Sequence, residues 1–382
     1  MLMSKMDVLY YSCPFDLSGY GSVARNHLSA MSKLPGLNVR LRTKKFWTGV
    51  SPDLKETGDI LHDLERNPLA KSGFVFIQHL TPENFYIDSR AKYHICYTPF
   101  ETDGAPHAWL LPLRGMDEVW VPSQHNKDAY INAGIDGEKI TVIPHGIDEN
   151  RFNPFIEKLD YNRGKFNFGS VFDWTERKNP TALIRAYFNA FSSGEDVSLT
   201  VRTFWRFPVE KTKEYIKSEV EAIKASFGNR KNFPKILFWF DSMEEDIMPN
   251  FYRSFDCFVL PTRGEGFGLP FLEAMACGIP TIGPNWGGNK EFMTSENSIL
   301  VGGNVVPIIH GNFLKQQPQY AGQKWFDIDE GQLCKSMRWV YDNKKDADEV
   351  ALVTSEFIRS NYTWEITAGN IFKRLLEIEG EI

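Results

Sequence analysis

The sequence predicts an α/β protein built from two open, doubly wound parallel sheets. Short apolar runs alternate with helical segments along the chain, the pattern of parallel sheets covered by helices. The alternation stops once, between residues 144 and 165, and then restarts. A length of 382 residues also suits two domains of roughly 150–200 residues better than one.

In the first half, Asp7–Ser12 reads as a strand, followed by the glycine loop Ser18-Gly19-Tyr20-Gly21-Ser22 and a helix from about Ser22 to Lys33. Val39–Arg42, Phe74–Gln78, Tyr93–Thr98, Glu118–Val121 and Ile140–Ile143 read as further strands, all short, as expected of a sheet buried on both faces. Ser123–Ala133 reads as a helix because Ser123 can cap its start and Gly134 its end. Pro144–Lys165 contains Gly146, Pro154 and Gly164, lacks periodicity, and is the expected linker.

In the second half, Phe166–Phe172, Ser198–Phe204, Ile236–Phe240, Cys257–Pro261 and Pro280–Gly283 read as strands. Helices are expected at Pro180–Ser192, with proline at its start, at Lys211–Ala225, at Asp246–Ser254 and from about Pro270 to Cys277. Trp364–Leu376 is strongly amphipathic, with Ile366, Ile371, Leu375 and Leu376 forming much of one face. The expected domains are 1–163 and 164–360, with 361–382 a terminal helix. Two such sheets on one linker imply a cleft between domains, with ligands at the carboxyl ends of the strands.

An apolar fraction of 42% against 24% charged residues excludes intrinsic disorder. No run approaches the ~18 consecutive apolar residues of a transmembrane helix, and Met1–Tyr11 lacks a signal peptide's apolar core. The net charge of −6 argues against a global electrostatic grip on nucleic acid or anionic lipid. Cys13, Cys96, Cys257, Cys277 and Cys334 are odd in number and scattered, which disfavours disulfides and points to a reducing, cytoplasmic compartment.

Chemistry concentrates at Arg263–Pro280, a glycine loop followed by a helix opened by Pro270 and closed by Gly278. Gly264, Gly266 and Gly268 lack Cβ atoms where a ligand must approach backbone. The helix N-terminus offers N–H groups to anionic oxygens. Glu265 precedes the helix and Glu273 is expected in its first turn, where a carboxylate can accept hydrogen bonds from the vicinal hydroxyls of a ribose. An anion-binding element with two acidic hydroxyl readers describes a nucleotide-sugar site; the competing reading of Glu273 is a carboxylate that only complements the helix dipole.

With Glu265 and Glu273 in an E-x-x-x-x-x-x-x-E arrangement within "EGFGLPFLEAMACGIPTI", the sequence resembles the retaining GT-B glycosyltransferases of family 4. "VIPHGIDENRF", "GGNKEFM", "NSILV" and the closing "YTWEITAGNIFKRLLEI" extend the resemblance over nearly the whole chain. It implies a GT-B fold, two Rossmann-like domains facing across a cleft, with the nucleotide-sugar donor in the second and the terminal helix packed back on the first. It also implies transfer of a hexosyl or pentosyl group from a nucleoside-diphosphate sugar to an acceptor hydroxyl with retained configuration. The nucleotide sugar is the only co-substrate expected, with no further cofactor.

Carried over residue by residue, Glu273 would bind the ribose hydroxyls, and Glu265 with the amides of Gly266, Phe267, Gly268 and Leu269 would hold sugar and diphosphate. Lys178, in "DWTERKNP", would neutralise the diphosphate, with Arg177 beside it. The resemblance breaks where many members have a Gly-Arg pair, here Phe172 and Asp173, so Arg177 or Arg202 would substitute. The usual glycine after the lysine is Asn179. In the first domain, Gly19 and Gly21 would face donor phosphates or acceptor, and Glu101 replaces the histidine of a family Phe-His-Thr.

His79 and His145 are acceptor-side candidates, with structural roles as the alternative. The run Arg40–Trp47 reads as a strand edge and loop, or as a contact for a membrane or polyanionic acceptor. Asp327-Ile328-Asp329 is a D-x-D, but its position before a helix favours capping, and no metal site is expected. The acceptor stays open among lipid-linked sugar, polysaccharide, protein, small molecule and nucleic acid, and peripheral membrane contact stays open too. The rival functions are a same-fold epimerase or phosphorylase, and a nucleotide-sugar-binding protein without turnover.

Overall fold

The computed structural model describes residues 5–45, 54–161, 163–204, 209–240, 243, 245–309 and 311–381; Phe46 and Trp47, the aromatic end of the basic run, lie outside them. The chain forms two compact units. The first comprises Met1–Gly146, Gln319–Gln323 and Tyr362–Ile382, and the second Ile147–Pro318 and Lys324–Asn361.

In the first unit, strands β1 (Met6–Ser12), β2 (Leu37–Thr43), β3 (Phe74–Gln78), β4 (Ala91–Tyr97), β5 (Glu118–Val121) and β6 (Ile140–Val142) form one parallel sheet in the order β2-β1-β3-β4-β5-β6. Val8, Leu9, Tyr10, Phe76 and Ile77 are fully buried at its centre. Helices α1 (Gly19–Ser32), α2 (Lys55–Arg66), α3 (Leu110–Arg114) and α4 (Gln124–Asn132) connect the strands. The cap expected at Ser123 is present, its hydroxyl accepting from the Asn126 amide at 3.3 Å.

The expected glycine loop after β1 is instead the first turn of α1. Ser18 caps this helix, its hydroxyl accepting from the Gly21 amide at 3.3 Å. Arg25, 3% exposed, donates to the carbonyls of Pro14 and Asp16 at 2.8 Å each, folding the preceding segment onto the helix. That fold explains Gly21, because a Cβ there would stand 2.1 Å from the Asp16 carbonyl oxygen.

In the second unit, strands β7 (Phe166–Asp173), β8 (Val197–Phe204), β9 (Lys235–Trp239), β10 (Cys257–Val259), β11 (Thr281–Pro284) and β12 (Ile299–Val301) form a second parallel sheet, ordered β12-β11-β10-β7-β8-β9. The winding reverses between β7 and β10. Around the sheet lie α5 (Pro180–Ala190), α6 (Val209–Ala225), α7 (Met248–Arg253), α8 (Leu269–Ala276), α9 (Gly311–Gln316), α10 (Glu330–Asp342) and α11 (Lys344–Asn361). An antiparallel hairpin that the sequence patterning did not reveal, β13 (Gly303–Pro307) with β14 (Lys324–Ile328), flanks them.

Two details of the frame differ from expectation, the position of the domain boundary and the buried face of the terminal helix. The boundary falls at Gly146/Ile147 rather than 163/164, because the intervening stretch is bonded to the second unit. The Leu159 amide donates to the Asn250 carbonyl at 3.0 Å, and the Phe152 ring lies 6.1 Å from Tyr252. The terminal helix α12 (Trp364–Glu381) belongs to the first unit and packs on α1. Its buried stripe is Ala368, Ile371, Leu375 and Ile378, whereas Ile366 and Leu376 are exposed. The stripe advances by three and four residues, so those two fall beside it. All five cysteines are free, and Cys13, Cys96, Cys257 and Cys277 are buried. Among the described residues, no helix is long and apolar enough to cross a membrane.

Candidate active site

Because β7 and β10 are neighbours at the point where the winding reverses, the loops leaving their carboxyl ends meet. After β7 the chain makes a 3-10 turn, Glu176–Lys178, and then places Asn179 in the left-handed region at φ 56°, ψ 52°. Asn179 also caps α5, its side-chain oxygen accepting from the Ala182 amide at 3.4 Å. Asparagine is among the few residues that both tolerate that backbone and cap a helix, which accounts for its place in the sequence.

The loop after β10 is tied to that turn at several points. The Arg263 amide donates to the Arg177 carbonyl at 2.7 Å, and the Arg177 guanidinium donates to the Gly264 carbonyl at 2.7 Å. Arg263 itself donates to the Glu176 carbonyl at 2.7 Å and to Asp327 Oδ1 at 2.8 Å, its guanidinium 5.0 Å above Trp325. Lys178 and Glu265 meet within this frame. Nζ of Lys178 donates to Oε1 of Glu265 at 2.6 Å, and Arg177 Nη1 lies 3.5 Å from the same oxygen. Lys178 is 7% exposed and Glu265 6%, so each charge depends on the other's company. The wider cluster balances Arg177, Lys178 and Arg263 against Glu176, Glu265 and Asp327.

A second glycine turn, after β11, braces the first. The Gly288 amide donates to the Glu265 carbonyl at 2.8 Å, and a Cβ on Gly288 would stand 2.0 Å from the Gly266 carbonyl oxygen. Gly266, Phe267 and Gly268 are buried, Phe267 lying against Phe292, and Leu269 opens α8.

Glu273 lies in the second turn of α8 rather than the first, because the helix starts at Leu269. Its Oε2 accepts from the Tyr252 hydroxyl at 2.7 Å. Arg202, near the carboxyl end of β8, stands with this pair and not with Lys178. Burial lowers its guanidinium from the ordinary value, while Tyr252 and Glu273 act against that shift. Thus the second unit gathers Arg177, Lys178, Glu265 and Gly266 at one point, and Arg202 with Glu273 at another.

The remaining candidates belong to the first unit. Glu101 follows β4, and its Oε2 accepts from the Tyr320 hydroxyl at 2.8 Å, while the Tyr320 ring lies 4.8 Å from Phe100. Gly19 and Gly21 are helical, as above. His79 and His145, expected on the acceptor side, are core residues at 1% and 4% exposure. His79 Nδ1 is 3.0 Å from the Tyr10 hydroxyl and His145 Nδ1 2.9 Å from that of Tyr97. His27 joins them, also 3.0 Å from Tyr10. Burial lowers His27 to about 3 and holds His79 and His145 well below the ordinary histidine value.

The D-x-D is divided between two structural tasks: Asp327 binds Arg263, and Asp329 caps α10 by accepting from the Gln332 amide at 2.9 Å. No group of three His, Cys, Asp or Glu among the described residues is placed to hold a metal ion. Sequence reasoning missed Arg263, Tyr252 and the bracing role of Gly288. Arg263 opens the glycine motif and Gly288 stands in "GGNKEFM", whereas nothing in the sequence marked Tyr252.

Two six-stranded parallel sheets with covering helices give the chain the GT-B fold, with two Rossmann-like units. Residues 212–309 match the family described as Glycosyl transferases group 1. It is 32% identical over 198 residues to the lipopolysaccharide core biosynthesis mannosyltransferase LpsB of Rhizobium meliloti, a match covering 50% of this chain and 52% of that one. The chain therefore spans about half the length of that relative. It is 27% identical over 303 residues to an uncharacterized glycosyltransferase of Sulfolobus islandicus rod-shaped virus 1, covering 72% of this chain and 82% of the viral one. In fold it is similar to sucrose-phosphate synthase from Thermosynechococcus elongatus, with TM-score 0.68, 16% identity and coverage of 99% and 100%. It is also similar to Anabaena HepE in complex with UDP and glucose, with TM-score 0.64, 14% identity and coverage of 97% and 100%.

Proposed function

We propose that the chain is a glycosyltransferase that moves a sugar from a nucleoside-diphosphate donor to an acceptor hydroxyl with retained configuration. The observation that carries this reading is the buried Lys178–Glu265 pair at the foot of the glycine loop. A cation there is preorganised to stabilise charge developing on a leaving diphosphate. In the resting site Glu265 is its counter-ion. A donor diphosphate arriving at Lys178 and Arg177 takes over that task and releases the carboxylate to hydroxyls of the sugar. Glu273 anchors the ribose from α8. The bound UDP in HepE makes uridine nucleotides the first donors to try.

The experiment is a thermal-shift screen of the full chain against nucleoside diphosphates and their sugars, followed by assay of diphosphate release with an acceptor library. Stabilisation by one donor family is expected, because a ligand that binds only the folded state raises the melting temperature. Glu273→Ala should weaken that binding, and unchanged affinity would reject the ribose assignment. Conversion of the donor sugar without acceptor would indicate an epimerase instead. Tight binding with no release in any acceptor mixture would leave a binding protein.

A further inference from the structure

The hydroxyl of Tyr252 is the polar end of an otherwise apolar anchor. The residue is fully buried, near the end of the short helix α7, and its ring lies between Phe152, Phe255 and Phe258 at 6.1, 6.0 and 5.7 Å. Three aromatic neighbours leave the ring no alternative rotamer without opening the core. A buried hydroxyl is costly unless bonded, and this one donates to Oε2 of Glu273. Burial and the Glu273 charge both push the phenol well above its ordinary value, so it remains a donor at any physiological pH. Within electrostatic reach of the pair stands Arg202, whose buried Nε has no hydrogen-bond partner among the described residues.

We propose that Tyr252 is a positioning residue for nucleotide recognition: anchored in the core, it fixes the Glu273 carboxylate, beside Arg202, in the orientation that meets the two ribose hydroxyls. The proposal rests on the donor-site reading given above. With Oε2 held by a rigid donor, the carboxyl plane cannot rotate freely. The ribose then meets a preset acceptor and need not order one on binding. Glu273 thereby reads the sugar of the nucleotide, and Tyr252 sets how sharply it does so.

The test uses the full chain and calorimetric titration with uridine diphosphate and 2′-deoxyuridine diphosphate, or the guanosine pair if the screen selects guanine. Tyr252→Phe keeps the ring and removes one hydrogen bond. It should weaken the ribonucleotide about five- to tenfold, the worth of one hydrogen bond to a charged group acting through a neighbour. The 2′-deoxynucleotide should change by less than about twofold. In a Glu273→Ala background the same substitution should cost no further affinity, since coupled residues fail to add. Equal losses for both nucleotides, additivity with Glu273→Ala, or no loss at all would overturn the positioning role while leaving the donor site intact. Wild-type protein that binds no nucleoside diphosphate would overturn the donor site and this proposal with it.

Discussion

Lys178 and Glu265 form a 2.6 Å ion pair between two loops that are 87 residues apart in sequence and meet only because β7 and β10 are adjacent. Lys178→Ala should lower turnover by about 10²–10³, the range for losing one preorganised charge stabiliser. It also leaves Glu265 with Arg177 as its nearest cation, so the rate must be normalised to folded protein, measured by calorimetry. Wild-type turnover would show that the diphosphate is held elsewhere.

Gly288→Ala tests whether the two glycine turns must touch. Its new Cβ would stand 2.0 Å from the Gly266 carbonyl oxygen and 2.6 Å from the Phe267 amide nitrogen, both backbone atoms that cannot swing aside. The donor loop should shift, with donor affinity falling at least tenfold and the melting temperature falling as well. Gly194→Ala, in an exposed turn with open space around the new Cβ, is the matched control and should change neither.

At Asn179, the left-handed backbone and the cap can be separated by substitution. Asn179→Ala loses both and should destabilise the chain by about 1–2 kcal/mol, read from denaturant midpoints. Asn179→Gly keeps the backbone freedom and should cost only a few tenths of a kcal/mol. Equal costs would mean that the φ of 56° is not the constraint.

Acid should destabilise the first unit through His27, His79 and His145. All three are lowered by burial, so they stay neutral in the folded chain while the unfolded chain takes up protons below about pH 6.5. The unfolded state binds more protons, and stability therefore rises with pH in this window. It is fully present above about 6.5 and declines towards the folded value of about 3 for His27, at up to about 1.4 kcal/mol per pH unit for each histidine. Denaturant melts between pH 7 and 5 should show this slope, and His27→Phe should reduce it. A slope unchanged by that substitution would remove His27 from the account.

Short, fully buried strands such as Phe74–Gln78 and Glu118–Val121 were legible to the residue, because a continuous apolar run bounded by turn residues admits few other structures. The glycine loop and helix of the candidate site were legible for the same local reason, as was the cap at Asp329. What escaped depends on which side chains and loops meet in space, which the residue pattern does not carry. Glycine at 21 signals a close approach by Asp16 rather than a ligand loop, and only Arg25 folding that segment makes the difference visible. Tyr252 looks like any aromatic of a helix until Glu273 is found beside it, 21 residues later. His79 and His145 have the composition of a site, but the burial that keeps them neutral comes from other strands and helices, through partners such as Tyr10, 69 residues from His79, and Tyr97, 48 residues from His145.

The first unit is assembled from three separate stretches of chain, one of them the five-residue Gln319–Gln323 that supplies Tyr320 to Glu101. The first unit is therefore not a cassette that can be cut out at one junction. A graft of residues 1–146 onto a relative would arrive without Tyr320 and without α12, leaving α1 facing a foreign helix. Recombination between relatives, natural or engineered, must carry the short insert and the terminal helix along, so these two remote pieces constrain which hybrids can function.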